Sequence, residues 1–64
     1  MMFIDLNELI KNGEALKPIS INAFNIQSLQ KANRSTDTLV VMMNGKFYFV
    51  NESVAAIKKL IGRG

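Results

Sequence analysis

Five carboxylates are the main acid–base groups of this 64-residue chain, because it contains no histidine and no cysteine. They are Asp5, Glu8, Glu14, Asp37 and Glu52. They are scattered along the chain and no serine has a neighbouring base, so the sequence indicates neither an acid–base pair nor an activated nucleophile. The glycines at positions 13, 45, 62 and 64 match neither of the common nucleotide-binding fingerprints, which argues against a phosphate-binding loop. We therefore predict that the protein is not an enzyme and carries no cofactor and no metal.

Cationic side chains suggest a different chemistry, the binding of phosphate groups. The chain has eight Lys and Arg against five Asp and Glu, a net charge of +3. Lys31 and Arg34 lie in the polar segment 31–37, and three further cations gather near the C-terminus. Those three are Lys58, Lys59 and Arg63. A regulator that binds nucleic acid through these five residues is one hypothesis, and its affinity would fall steeply as salt rises.

The most informative element is a β-hairpin predicted for residues 38–50, TLVVMMNGKFYFV. Asn44-Gly45 favours a type I′ turn, which needs positive φ at both central residues. A two-residue loop of this kind pairs Val41 with Tyr48. Side chains alternate between the two faces of a strand, so both faces of this hairpin are apolar. Each face must therefore be shielded from water by another part of the chain or by another molecule.

For one face of the hairpin, we predict that a second copy of the chain shields the apolar side chains. A domain of this length buries only about 60% of the surface that its unfolded chain exposes, and dimerisation is a common source of extra stability. Phe47 and Phe49 are predicted to fill the core. The other face is predicted to form the dimer contact, and it carries Leu39, Val41, Met43, Tyr48 and Val50. The leading hypothesis is a small non-catalytic protein-interaction module of bacterial or phage type, which forms a homodimer and binds another protein.

The N-terminal half predicts shorter elements. Residues 2–6 are predicted to form a short strand that runs into a helical turn, because Leu6, Leu9 and Ile10 have i, i+3, i+4 spacing. Asn12-Gly13 is predicted to end that turn. Residues 19–22 alternate apolar and polar and predict a strand, followed by a bend at 23–25. Residues 26–30 are compatible with a bulged strand or a single helical turn, and we favour the strand.

The C-terminal segment predicts a helix over residues 52–61. Asn51 is the expected N-cap, and Glu52 is placed to interact with the positive end of the helix dipole. An apolar stripe follows at Val54, Ile57, Leu60 and Ile61. The complete prediction is one α+β domain over residues 1–64, with an antiparallel sheet of three to four strands, an N-terminal helical turn and a C-terminal helix.

Hydropathy and the N-terminal charges bear on the cellular location. No apolar run approaches the ~20 residues that span a bilayer, and the N-terminus lacks the basic region of a secretory signal. We therefore expect a cytoplasmic protein without a membrane partner.

Several short motifs resemble the FlbD/SwrD type of small flagellar proteins, over residues 18–61. They are Ile21-Asn22, Ile26, Leu29, Asp37-Thr38-Leu39-Val40, Asn44-Gly45-Lys46, Tyr48, Val50 and Glu52-Ser53, followed by the closing helix. This resemblance implies a flagellar accessory protein, which is a further hypothesis for function. The order of strand, Asn-Gly hairpin and helix is also similar to the end of LytTR-type DNA-binding domains.

Overall fold

The computed structural model describes residues 2–32 and 37–62, and this part of the chain forms five strands and one α-helix. The elements are β1 (Phe3–Ile10), β2 (Ala15–Asn22), β3 (Ile26–Lys31), β4 (Thr38–Met42), β5 (Phe47–Val50) and α1 (Val54–Gly62). The strands form one antiparallel sheet in the order β2-β1-β5-β4-β3. The predicted α+β composition is confirmed, but the sheet has five strands instead of three to four.

The N-terminal segment is a strand, so the predicted helical turn is wrong. Strand β1 pairs along its whole length with β2, from Phe3 opposite Asn22 to Ile10 opposite Ala15. Ile4 and Leu6 are buried, whereas Asp5 between them is exposed, which is the period of two that a half-buried strand requires. The helical spacing further along the segment is overridden, because a partner strand provides backbone hydrogen bonds over all eight residues.

Asn12-Gly13 forms the turn between β1 and β2 instead of ending a helix. Asn12 and Gly13 have φ angles of 57° and 87°, and the Glu14 N–H donates to the Lys11 carbonyl at 3.1 Å. Positive φ at both central residues is the requirement of a type I′ turn. Lys11 also has positive φ, at 53°, in this four-residue loop. The turn geometry expected at the second Asn-Gly pair is therefore found at the first.

The hairpin of β4 and β5 has a three-residue loop, so the predicted two-residue loop is wrong. The Met42 N–H donates to the Lys46 carbonyl at 2.8 Å, and the Gly45 N–H donates to the Met42 carbonyl at 3.0 Å. Gly45 has a φ of 89°, whereas Asn44 is not among the residues with positive φ. A type I turn followed by a left-handed glycine is the usual three-residue hairpin.

This extra loop residue changes which side chains share a face. Val41 lies opposite Phe47, and Val40 lies opposite Tyr48. A shift of one residue turns every side chain of β5 to the other side relative to β4. Phe49 is therefore on the outer face opposite Leu39, and the prediction that both phenylalanines fill the core is wrong.

The core lies between the inner face of the sheet and α1. Its buried hydrophobic residues are Ile4, Leu6, Ile21, Ala23, Val40, Met42, Val50 and Ile57. Partly buried side chains that include Tyr48, Leu60 and Ile61 pack against this cluster. Ile57 is the buried residue that α1 contributes, so the apolar stripe predicted for the helix does face the sheet.

A short connection forces the sheet to curl. Strands β2 and β3 are the two outermost strands, and a flat sheet of five strands would hold them about 19 Å apart. The chain from Asn22 to Ile26 can span at most about 14 Å. This connector is a single 3₁₀ turn, Ala23–Asn25. The sheet therefore curves around the core, with α1 on its inner side and the other face outward.

The expected strand at 19–22 is confirmed within β2, and the bend at 23–25 is the 3₁₀ turn. The ambiguous segment 26–30 is a strand, with a register irregularity between Ile26 and Ser28. This irregularity is the bulge that the uneven apolar spacing indicated.

The N-cap of α1 is Ser53 and not the predicted Asn51. The Ser53 hydroxyl accepts a hydrogen bond from the Ala56 N–H at 3.1 Å. Asn51 instead donates its N–H to the Asn7 carbonyl at 2.9 Å, which extends the contact of β5 with β1. Glu52 precedes the helix and interacts with β1 as well, so its predicted role in the first turn of the helix is also corrected.

Two glycines provide a matched stability test. Gly45→Ala is expected to lower the free energy of unfolding by about 1 kcal/mol, because the left-handed backbone is unfavourable for a residue with a Cβ. A Cβ added at Gly45 or at Gly62 would meet no neighbouring segment within 4 Å, so steric clashes do not contribute. Gly62→Ala, at the end of α1, is expected to be neutral or stabilising by up to about 1 kcal/mol. Urea denaturation measures both, and equal effects of the two substitutions would contradict the assigned turn.

Candidate interaction surface

The outer face of the sheet carries a continuous group of apolar side chains, here called the outer-face patch. Its members are Leu9, Leu16, Leu39, Val41, Phe47 and Phe49. Leu9 lies opposite Leu16 across β1 and β2. Strand β1 pairs antiparallel with β5, and Glu8 lies opposite Val50. Continuing this register by one residue places Leu9 beside Phe49. The patch therefore crosses four neighbouring strands.

Two aromatic rings dominate the centre of the outer-face patch. Phe47 and Phe49 alternate along β5, and their ring centroids lie 6.0 Å apart with an interplanar angle of 83°. This edge-to-face arrangement is favourable for aromatic pairs. Both rings are nevertheless exposed, as is Leu16. Exposed aromatic and aliphatic side chains that adjoin one another are typical of an interaction surface.

The border of the outer-face patch is uncharged on β3. Ser28 lies opposite Val41 and Gln30 lies opposite Leu39. A cleft of about 440 Å³ adjoins the patch at Leu9 and Phe49, which form part of the walls of the cleft. Lys11 and Asp37 are also at this cleft. Its walls combine apolar side chains with two opposite charges.

A side-chain clamp joins the two halves of the sheet next to this surface, at Asn7, which is two residues before Leu9 on β1. The Glu52 carboxylate accepts hydrogen bonds from the Asn7 backbone N–H at 2.9 Å and from the Asn7 side-chain amide at 2.8 Å. The buried Thr38 hydroxyl donates to the Glu52 carbonyl at 2.7 Å. These contacts hold β1 against β5 and so position Leu9 relative to Phe49.

The structure separates the five residues that the sequence predicts for self-association. Leu39 and Val41 are on the outer face and are half-buried. Met43 is exposed in the β4–β5 turn. Val50 is fully buried and Tyr48 packs against the core, so these two residues face inward. The one-residue shift in hairpin register is the reason for this difference.

The residues predicted to bind nucleic acid are described only in part. Lys31, Lys58 and Lys59 are exposed, whereas Arg34 and Arg63 lie outside the described residues. Lys31 is opposite Thr38, whose side chain faces the core, and α1 packs against β3. The three described lysines are therefore on the helix side of the sheet, away from the outer-face patch. Nucleic-acid binding stays a prediction, for which a salt titration of binding is the test.

Four members of the outer-face patch are not predicted as surface residues by the sequence patterns. A two-residue turn places Phe47 and Phe49 in the core, and helical spacing places Leu9 in a helix. Leu16 has no role in either pattern. The sequence feature that could have identified Leu9 and Leu16 is the first Asn-Gly pair, because apolar segments on both sides of such a pair favour a hairpin. A hairpin at that position places Leu9 opposite Leu16.

Two features are absent from residues 2–32 and 37–62, which the structure describes. No group of three or more His, Cys, Asp or Glu side chains among them is arranged to hold a metal ion. None of their helical segments combines the length and the apolar character that crossing a membrane requires.

Comparison with known proteins supports the resemblance seen in the sequence. The model of the FlbD family, described as flagellar and swarming motility proteins, matches residues 5–63. Comparisons with curated proteins and with solved structures gave no match. The family match also includes residues 5–17, which contain most of β1 and the turn to β2 and which the sequence motifs at residues 18–61 did not cover.

Proposed function

Because the chain belongs to the FlbD family of flagellar and swarming motility proteins, we propose that it is a non-catalytic accessory protein of motility that acts through protein binding. The observation that supports this role is the outer-face patch, whose phenylalanines are exposed although the chain has a small core. Residues without a partner in the core are available for a contact between molecules.

The partner that we propose for the outer-face patch is a second copy of the chain. A two-fold contact brings the same surface of each copy together, so a charged patch would oppose like charges. The six patch residues and their β3 neighbours Ser28 and Gln30 are all uncharged, although the chain has a net charge of +3. The charged residues at the adjoining cleft are one cation and one anion, Lys11 and Asp37. The patch is thus electrostatically suited to contact itself.

The edges of the sheet are less suited to pairing between copies. Strand β2 contains Pro18, which lacks an N–H, and an exposed Lys17. Strand β3 contains the irregularity between Ile26 and Ser28. Proline, lysine and bulges are the usual features that prevent edge strands from pairing with another molecule. This argument favours a face-to-face dimer over a continuous intermolecular sheet.

The size of the patch predicts a weak dimer. Stable complexes bury about 800 Å² on each partner. Six side chains, three of which are already half-buried, provide less apolar area than that. We therefore expect reversible dimerisation that depends on protein concentration.

Phe49→Lys tests the dimer. A lysine at the centre of the patch introduces two opposed cations in a two-fold contact, so the dimerisation constant is expected to weaken by at least about ten-fold. Sedimentation velocity over a range of concentrations measures this constant. Phe24→Lys is the matched control, because Phe24 is an exposed phenylalanine that does not belong to the patch. Circular dichroism confirms that both variants are folded.

The outcomes separate the possibilities. A wild-type chain that stays monomeric at millimolar concentration contradicts self-association. A folded Phe49→Lys variant that fails to restore swarming in a deletion strain of the host supports the patch as the functional surface. If this variant restores swarming fully, the patch is not required for the motility role.

A further inference from the structure

The edge of β1 that faces away from β2 is paired over only part of its length. Asn7 directs its main-chain groups to this side, because its N–H donates to the Glu52 carboxylate at 2.9 Å and its carbonyl accepts from the Asn51 N–H at 2.9 Å. Successive residues of a strand direct these groups to alternate sides, and β1 pairs with β2 without interruption. The main-chain groups of Phe3 and Asp5 are therefore directed to the same side as those of Asn7.

No strand covers Phe3 and Asp5 on this side. Strand β5 pairs with β1 at Glu8 and Val50, and the contact ends at Asn7, where the chain leaves the sheet toward α1. Within the part of the chain that the structure describes, no group forms a hydrogen bond with Phe3 or Asp5 on this side. Two main-chain donors and two acceptors are thus unpaired along about 13 Å of strand, here called the open edge.

The side chains of the open edge differ between its two faces. Phe3 is 58% exposed and Asp5 is also exposed, so both lie on the outer face. Their neighbours across β2 are the uncharged residues Asn22 and Ser20, and Asp5 forms no ion pair within the described residues. Ile4 is buried and faces the core. A strand added here would therefore meet an uncompensated carboxylate on one face and an apolar side chain on the other.

From these observations we propose that the open edge binds an extended segment of another protein, which adds a strand antiparallel to β1 in the line that β5 leaves. Main-chain hydrogen bonds supply the affinity in this mode of recognition, and alternate side chains supply the specificity. The residue opposite Asp5 is expected to be basic, since opposite charges stabilise a cross-strand pair. The residue opposite Ile4 is expected to be apolar, because it lies on the core side.

A second copy of the chain is poorly suited to this edge. If two open edges pair about a two-fold axis, the two Asp5 carboxylates lie opposite or diagonal to each other on the outer face. Like charges that face each other across strands are destabilising. The contact between copies that we propose for the outer-face patch uses neither Phe3 nor Asp5.

This inference rests on the proposed role in protein binding and gives the motility partner a site of its own. The outer-face patch is proposed to contact a second copy, whereas the open edge is left for a different protein. Binding of a short peptide at this edge does not require dimerisation, so the two contacts can be tested separately.

The probe for the open edge is the peptide acetyl-Val-Lys-Val-Thr-amide, whose lysine is placed to lie opposite Asp5. NMR spectra of the ¹⁵N-labelled chain are recorded as the peptide is added, at a protein concentration where sedimentation detects only monomer. We expect shifts at residues 3–6 and slower exchange of the Phe3 and Asp5 amide protons. The same peptide with methyl groups on its lysine and threonine nitrogens is the control, and it is expected not to bind because it lacks the main-chain donors.

A pair of substitutions at Phe3 tests the main-chain contact. Phe3→Pro removes one donor of the open edge and keeps the bonds between β1 and β2, because the Phe3 N–H is directed away from β2. Proline is tolerated at the first residue of a strand. Phe3→Val loses the aromatic ring as well but keeps the N–H, so it is the matched control. We expect Phe3→Pro to bind the peptide about ten-fold more weakly than Phe3→Val, with both variants folded by circular dichroism.

A second peptide, in which glutamate replaces lysine, tests the charge. The wild type is expected to bind it about five-fold more weakly than the lysine peptide. Asp5→Asn should remove this preference, whereas Glu14→Gln in the β1–β2 turn should keep it. An unchanged preference in Asp5→Asn would contradict the contact with Asp5.

The remaining outcomes separate this site from the proposed function. Equal binding by Phe3→Pro and Phe3→Val overturns the proposal, as does a wild type without shifts at residues 3–6 in millimolar peptide. Amide protection at Phe3 and Asp5 that rises with protein concentration alone assigns the edge to a second copy and contradicts the peptide site. A folded Phe3→Pro variant that binds no peptide but restores swarming fully shows that the open edge does not bind the motility partner. The Phe49→Lys test of the proposed function does not depend on these results.

Discussion

Replacing Ile57 with alanine is expected to leave much of the protein unfolded at 25 °C. Ile57 is fully buried and is the buried residue of α1, so the helix is held to the sheet mainly through this side chain. Truncation of a buried isoleucine to alanine costs about 2–5 kcal/mol, because apolar contacts are lost and a cavity remains. A core of this size rarely supplies more than about 3–5 kcal/mol. The loss is thus comparable with the total stability.

Urea denaturation followed by circular dichroism measures this effect. Ile57→Val is expected to cost only about 0.5–1.5 kcal/mol, which gives a graded series at one site. Lys58→Ala is the control, because Lys58 is exposed on the same helix and its substitution should change stability by less than about 0.5 kcal/mol. The concentration must be constant, since dimerisation would itself add to the apparent stability. An Ile57→Ala variant as stable as the Lys58→Ala variant would refute the packing of α1.

Replacing Glu52 with alanine is expected to lower the free energy of unfolding by about 1–3 kcal/mol, since a partly buried carboxylate with two hydrogen bonds is removed and the Asn7 N–H loses its acceptor. The position of the bonds adds to their importance. The register between β1 and β5 contains a single residue pair, Glu8 with Val50, so the seam between the two halves of the sheet is short. Glu52 and Asn51 extend it through Asn7.

A double-mutant cycle with Asn7→Ala and Glu52→Ala isolates the clamp from other effects of the two side chains. We expect the double variant to be less destabilised than the sum of the single variants, with an interaction energy of about 1 kcal/mol. Glu14→Ala is the control, because Glu14 is an exposed carboxylate in the β1–β2 turn. Additive effects of Asn7→Ala and Glu52→Ala would mean that the two residues do not act together.

The two Asn-Gly pairs show where local sequence is sufficient and where it is not. Both pairs form hairpin turns, as the dipeptide favours. Only Asn12-Gly13 has positive φ at both residues, and Asn44-Gly45 adopts a loop that is one residue longer than the dipeptide predicts. The dipeptide therefore predicts that the chain reverses, but it does not determine the length of the loop. That length decides which side chains of β5 face the core.

The candidate surface can be predicted only in part for the same reason. The alternation along β4 places Leu39 and Val41 on the exposed face correctly, since their neighbours Val40 and Met42 are buried. The same reasoning places Phe47 on the wrong face.

Local patterns are enough to predict the hairpin at 38–50, the strand at 19–22, the C-terminal helix and the family, because each depends on residues close together in the chain. The strand at Phe3–Ile10, the curvature of the sheet and the contact of Glu52 with Asn7 depend on the folded structure. In each case a distant segment provides the partner, as β2 does for β1. Pairing and burial then override the local helical pattern, since they satisfy more backbone hydrogen bonds and cover more apolar surface than a single helical turn could.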